Sequence, residues 1–215
     1  MKVTSGYSAV FLIVTLLGLG ACKPPDPPRW IVQGDRVLVR VTKGNEVVYD
    51  TFSSQIPAFA FVDQMGDTVS SLQLDGKVYV ADFFFTHCPS ICPKMKANLI
   101  KVAKAYGNRN DFEIISYSID PERDSVPVLR AYAEKLGIQS TGWHLLTGNR
   151  DSIYALADRY LEYAAADPNA AGGFIHDGNF VLIDRNHRIR GYYDGTSDDG
   201  VQQLINDLKL VFSEK

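Results

Sequence analysis

The sequence predicts an α/β fold: one layered domain carrying an N-terminal β-hairpin extension and closing with a hairpin and a helix. Three observations lead there. From Ile56 onward β-type and helical patterns alternate, which is the order of a layered α/β domain and not of a bundle or a sandwich. The stretch Lys77 to Phe85 is nearly continuous in apolar residues, as suits a central strand covered on both faces. With 215 residues, 46% hydrophobic and 22% charged, the chain can bury one good core but is short for two full domains.

The elements follow in order. Residues 1–21 carry a charge at Lys2 and an unbroken apolar run from Ala9 to Ala21, shorter than the ~20 residues of a spanning helix. An uncleaved anchor is one reading. The end of the run, Leu19-Gly20-Ala21-Cys22, is similar to a bacterial lipoprotein signal, in which Cys22 becomes the lipidated first residue of the mature chain. Residues 22–30 then hold that Cys and a Pro-rich linker, and residues 31–215 form the folded domain. Either reading places the domain on the extracytoplasmic side of a bacterial membrane. Within it, Arg36 to Val41 and Glu46 to Tyr49 flank Thr42-Lys43-Gly44-Asn45 as a hairpin accessory to the core.

After the central strand, Met95, Leu99, Val102, Ala103 and Tyr106 recur at helical spacing, with Pro93 suited to a first turn. Phe112 to Ile119 is a second buried strand. A helix follows Ser125, with Leu129, Tyr132, Ala133 and Leu136 on one face and Gly137 as its stop. Trp143 to Leu146 is a short strand, and Ser152 to Tyr163 a helix opened by Asn149 or Asp151. Phe180 to Asp184 and Arg188 to Tyr193 flank Arg185-Asn186-His187 as a hairpin, and Asp198 or Asp199 caps a last helix through Leu204, Ile205, Leu208 and Val211. This succession is the order of a thioredoxin-like domain with one extra strand–helix insertion.

Cys88 and Cys92 fall where the central strand gives way to its helix, a place where loop N–H groups and the positive helix terminus lower a thiol pKa. If Cys22 carries lipid, these two are the remaining pair, in a compartment where disulfides form. At i and i+4 across such a junction their sulfurs can meet as a disulfide or share a metal, and spacing alone does not decide between them. A disulfide closing so small a loop removes little entropy from the unfolded chain, which weighs against a purely stabilising bridge. Soft thiolates select Cu(I), and an imidazole also suits Cu(II).

Four histidines are available as a further ligand. His87 adjoins Cys88 and is expected to point away from it, as a flanking group. His144 lies within a strand, as a hydrogen-bonded packing residue. His187 sits in the hairpin turn and is expected in solvent. His176 precedes a core strand in the glycine-rich stretch 172–178, from which a loop can approach the cysteines. Two cysteines and one histidine suit copper but fall short of the four ligands of structural zinc.

The residues Phe83-Phe84-Phe85-Thr86-His87-Cys88-Pro89-Ser90-Ile91-Cys92-Pro93, the acidic loop from Ser118 to Asp124, the block Trp143-His144-Leu145-Leu146-Thr147-Gly148, and His176 followed by Phe180-Val181-Leu182-Ile183-Asp184 together resemble the SCO (SenC) family of copper-binding proteins. These proteins take part in assembling the binuclear copper centre of cytochrome c oxidase. The resemblance runs from about Ile56 to the C terminus. It implies Cys88 and Cys92 as thiolate ligands, His176 as the imidazole ligand, Asp120 as a neighbour of the site, copper as cargo, and the copper-centre subunit of the oxidase as partner. Asp177 stands after His176 where many relatives have a small hydroxyl residue, and the lipoprotein-like start replaces a spanning anchor.

Other functions are weighed beside a copper chaperone. An extracytoplasmic thiol–disulfide reductase acting on the oxidase subunit's cysteines fits the thiol placement. Three residues separate the cysteines where a thioredoxin has two, however, and no proline follows Pro168 to supply the thioredoxin cis-proline. A peroxiredoxin would need Thr or Ser where Phe85 stands. Acidic residues outnumber Lys and Arg by 25 to 22 with no basic run, so no nucleic-acid partner is expected.

Overall fold

A computed structural model describes residues 36–43, 46–53, 55–138 and 142–214. The expected extension is present: β1 (Arg36–Lys43) and β2 (Glu46–Ser53) pair antiparallel, with Lys43 opposite Glu46. Both strands run further than expected, and residues 44–45 between them lie outside the described residues. Signal, linker and Cys22 also lie outside them.

A second small hairpin, β3 (Ala60–Val62) with β4 (Thr68–Ser70), was not legible in the sequence, because three-residue strands carry too little alternation. The core then begins with β5 (Val78–Phe84), buried at every position as a strand covered on both faces must be. It leads into α1 (Cys92–Tyr106), β6 (Phe112–Ser118), α2 (Val126–Leu136), β7 (Trp143–Leu146) and α3 (Arg150–Arg159). A ribbon of β8 (Ala164–Ala166) and β9 (Phe174–His176) follows, then β10 (Asn179–Ile183), β11 (Ile189–Asp194) and α4 (Asp198–Ser213).

The main sheet has the order β11-β10-β5-β6-β7. β5, β6 and β7 are parallel; β10 runs antiparallel to β5 with Val181 opposite Ala81, and β11 antiparallel to β10. The expected α/β architecture is therefore present, with β5 central. On one face Phe84 meets Tyr132 of α2 and the Lys96 ammonium of α1, and Tyr106 of α1 packs on Phe212 of α4. On the other, Phe83 and Tyr117 meet Tyr160 after α3 and Phe59 and Phe61 of the β3 segment.

Helix ends follow local chemistry. Gly137 stops α2 at φ +67°, and Asn149 caps α3 by accepting from Ser152 N at 2.9 Å. Two expectations are corrected. α3 ends at Arg159 and not at Tyr163: Leu161 takes φ +56°, and Glu162 N bonds back to Ala157 O, which turns the chain into the ribbon. Ser197, not Asp198 or Asp199, caps α4 by accepting from Gly200 N, while the two aspartates occupy the first turn, where they offset the helix dipole.

At the outer edge of β7, a Val62–Thr147 backbone bridge is continued by one side chain. Gln64 donates from Nε2 to Trp143 O (2.9 Å) and accepts from Leu145 N (2.7 Å), so its amide imitates a neighbouring strand.

Candidate metal centre

The parallel strands β5 and β6 end together, and the loop 85–91 leaves β5 at that edge. Its entry is fixed by Asp124, a fully buried carboxylate that accepts from Thr86 N (3.1 Å), Thr86 Oγ1 (2.5 Å) and Ser118 Oγ (2.6 Å). Asp124 thus ties the residue two before Cys88 to the end of β6. It was not singled out in the sequence, although it closes the acidic loop that was.

Cys88 and Cys92 are both buried free thiols, and Cys92 is itself the first residue of α1. His176 ends β9. The two sulfurs and a ring nitrogen of His176 all lie within 4.8 Å of one another, and His176 Nε2 is 3.2 Å from Cys92 Sγ. His176 Nδ1 donates to Asp177 O at 2.8 Å, which orients the ring so that Nε2 faces the sulfurs. The departure at Asp177 therefore leaves this hydrogen bond untouched, because the backbone makes it. The Asp177 carboxylate has a separate task, accepting from Tyr163 N at 2.7 Å.

The two thiols differ. Cys88 is held well below the ordinary thiol range because the Cys92 thiol donates to it; burial opposes this, while His176, Ser90 Oγ at 3.5 Å and the Cys92 backbone N–H of the helix start add to it. Cys92 is pushed upward because its proton is held against Cys88 and because it is buried, with Lys96 acting in the opposite direction. One thiolate and one thiol side by side can supply a second thiolate to a cation able to displace the shared proton.

His87 sits beside the pair without belonging to the ligand cluster. Its ring meets Phe85 edge-on with centroids 4.9 Å apart, its Nε2 donates to Gly172 O (3.2 Å), and its Nδ1 is 3.8 Å from Asp120 Oδ2. Asp120, also buried, faces His87 and the Arg123 guanidinium (3.5 Å). His144 lies elsewhere: its Nδ1 is 2.9 Å from Asp63 and its Nε2 3.5 Å from Glu113, the packing role expected of it. The expectation for His187 is corrected. It is half-buried, bonded to Asp75 at 2.7 Å with Tyr79 OH 3.4 Å away, because its φ of +58° folds the turn back onto the sheet.

Beneath the cysteines lies a charge pair that was not anticipated. Lys96 Nζ, fully buried, donates to Asp82 Oδ2 (2.7 Å) and Ser116 Oγ (2.9 Å), and Ser116 in turn bonds Asp82 and accepts from Trp143 Nε1. An acid inside the apolar run Val78–Phe84 and a lysine on a core-facing helix position were the available signal.

The SCO1/SenC family model matches residues 49–212. Among solved structures, a SCO1/SenC family lipoprotein from Bacillus anthracis is 32% identical with a TM-score of 0.67, over 74% of this chain and 95% of its own. BsSco, described as a member of the Sco family of cytochrome c oxidase assembly proteins with a disulfide switch, is 31% identical with a TM-score of 0.66, over 75% of this chain and 95% of its own. ScoI of Bradyrhizobium japonicum, solved with copper bound, is 26% identical with a TM-score of 0.61, over 72% of this chain and 98% of its own.

Proposed function

We propose that this chain, which belongs to the SCO1/SenC family, binds copper through Cys88, Cys92 and His176 and delivers it to the copper-centre subunit of cytochrome c oxidase. The observation that carries the reading is the convergence of two sulfurs and an imidazole nitrogen within 4.8 Å. Two thiolates favour Cu(I), and with His176 they also accommodate Cu(II). Three protein ligands leave a position open through which an acceptor can take the ion, as a carrier needs and a storage site avoids. Titration of the reduced protein with Cu(I) and Cu(II) tests it: one ion per chain is expected, with thiolate-to-Cu(II) absorption, and both are lost in Cys88→Ser. A wild-type chain that binds no more copper than Cys88→Ser overturns it.

We further propose that Cys22 is lipidated and holds the domain on the extracytoplasmic face of a bacterial membrane, a reading supported by the Leu-Gly-Ala-Cys sequence and by the relative named a lipoprotein. Labelled palmitate should enter the wild type and not Cys22→Ser. Incorporation into both would exclude Cys22 as the site.

A thiol–disulfide reductase acting on the oxidase subunit's cysteines is the second reading. It is favoured by the unequal thiols, since a thiolate at Cys88 can attack a disulfide and Cys92 stands close enough to resolve the mixed disulfide. Reduction of a disulfide-bonded oxidase subunit by the wild type, abolished in Cys88→Ser, would support it; inactive wild-type protein would exclude it.

A further inference from the structure

His176 is carried on the β8–β9 ribbon, which its own hydrogen bonds close at the base and which is tied to the cysteine loop at the tip. At its base Tyr163 N donates to Asp177 Oδ2 and Asp177 N to Tyr163 O (3.0 Å), beside the Ala164–His176 pairing. At its tip Gly172 O accepts from His87 Nε2. The bonds Asp167 N to Gly173 O and Gly173 N to Ala170 O run within the tip itself, whereas the one from His87 crosses to the cysteine loop.

The tip is shaped to lie on that loop. Gly172 and Gly173 take φ of +80° and +85°, and a Cβ on Gly172 would come within 2.7 Å of the Phe85 ring and 3.1 Å of Pro89 Cδ. Phe174 packs on Phe85 with centroids 5.2 Å apart, and Phe85 in turn meets His176 edge-on. His87 is itself oriented, because a carbonyl acceptor requires the proton on Nε2, while Nδ1 is buried with the Asp120 carboxylate behind it. Two consecutive left-handed glycines joined to the body by one side-chain hydrogen bond make a strap that can be let go without disturbing the sheet.

We propose that His87 is a positioning residue whose hydrogen bond to Gly172 latches the His176 ribbon over the cysteine pair and sets how fast bound copper leaves. The inference rests on the copper reading above. His87 touches no ligand atom among these contacts; it acts on copper through the place of His176.

The full chain with His87→Phe keeps an aromatic ring against Phe85 and Phe174 but has no donor, and His87→Gln restores an N–H. Release of copper to excess chelator is expected to be roughly tenfold faster in His87→Phe, the effect of one lost hydrogen bond, and closer to wild type in His87→Gln, with one copper per chain and the thiolate absorption kept in both. In the metal-free proteins, amide exchange in residues 164–176 is expected to quicken in His87→Phe while that of β5 and β6 does not change. Unchanged release overturns the latch, whether or not exchange quickens, and leaves the copper reading standing. A wild-type chain that takes up no copper overturns the copper reading and the role in release with it, and unchanged ribbon exchange would then remove the latch as well. If His87→Phe does not fold, Gly172→Ala, which pushes the tip off Phe85, carries the same test with the same outcomes.

Discussion

One proton shared between two sulfurs makes Cys88 and Cys92 chemically unequal. The Cys92 thiol donates to Cys88 and lowers it, and the same contact raises Cys92. Cys92 is also 1% exposed against 8% for Cys88. In the reduced, metal-free protein at pH 6, iodoacetamide is therefore expected to modify Cys88 at least about tenfold faster than Cys92, since the thiolate is the nucleophile. Mass spectrometry of the two peptides reads this, and equal rates would refute it. Asp124 acts at the same scale. Its three hydrogen bonds come from Thr86 and Ser118, and loss of a buried, charge-assisted set leaves those donors unsatisfied. Asp124→Ala is expected to cost about 3 kcal/mol in urea unfolding and to weaken copper binding by loosening Thr86.

Among elements, two carboxylate-lined contacts make stability depend on pH. Burial, with the Asp177 carboxylate adding to it, pushes Glu162 up to about 8, against a hydrogen bond from Asn179. Its folded pKa is raised, so the stabilisation is full below the ordinary carboxyl range and is lost as pH rises toward 8. Glu162→Gln, neutral throughout, should melt several degrees above the wild type at pH 8 and match it near pH 4. The opposite order at pH 8 would show that Glu162 is not buried as a neutral acid.

The second contact joins β7 to the β3 segment and to β6. Burial lowers the pKa of His144, but its hydrogen bonds to Glu113 and Asp63 outweigh this and raise it. Glu113 is lowered: burial raises it, yet His144 and Lys77 together prevail. The His144 contribution is full below about 6.5 and fades as pH rises through its higher folded value; that of Glu113 is present above the ordinary carboxylate range and lost in acid. His144→Gln is thus expected to cost about 1–3 kcal/mol at pH 6, with a smaller loss at pH 9. An equal loss at both would argue against a charged His144.

The whole molecule converges on Lys96. From α1 it reaches Asp82 on β5 and Ser116 on β6, and Ser116 accepts from Trp143 on β7, so one buried charge links the helix behind the cysteines to three strands. Removing one member of a buried pair leaves the other charge uncompensated, which costs about 3–5 kcal/mol. Lys96→Met is expected to lose that much in urea unfolding, and a variant as stable as the wild type would refute the stabilising role of the Lys96–Asp82 pair.

By itself the sequence determined the strand and helix order, the central place of β5 and the pairing of Cys88 with Cys92, because these are written in short-range periodicity and in a local motif. The candidate ligand set was legible only by resemblance, since nothing in the glycine-rich stretch 172–178 says where His176 points. Tertiary structure decided the rest. β8 and β9 are three residues each and acquire meaning only by pairing, Ala164 with His176. Asp124, Lys96 and the His87–Gly172 contact join residues far apart in the chain, and such contacts exist only once the sheet has brought the ends of β5 and β6 and the tip of the ribbon together. Local pattern carries a residue's tendency toward strand, helix or turn; the distance between two sulfurs and an imidazole is fixed by long-range packing, and only the folded chain supplies it.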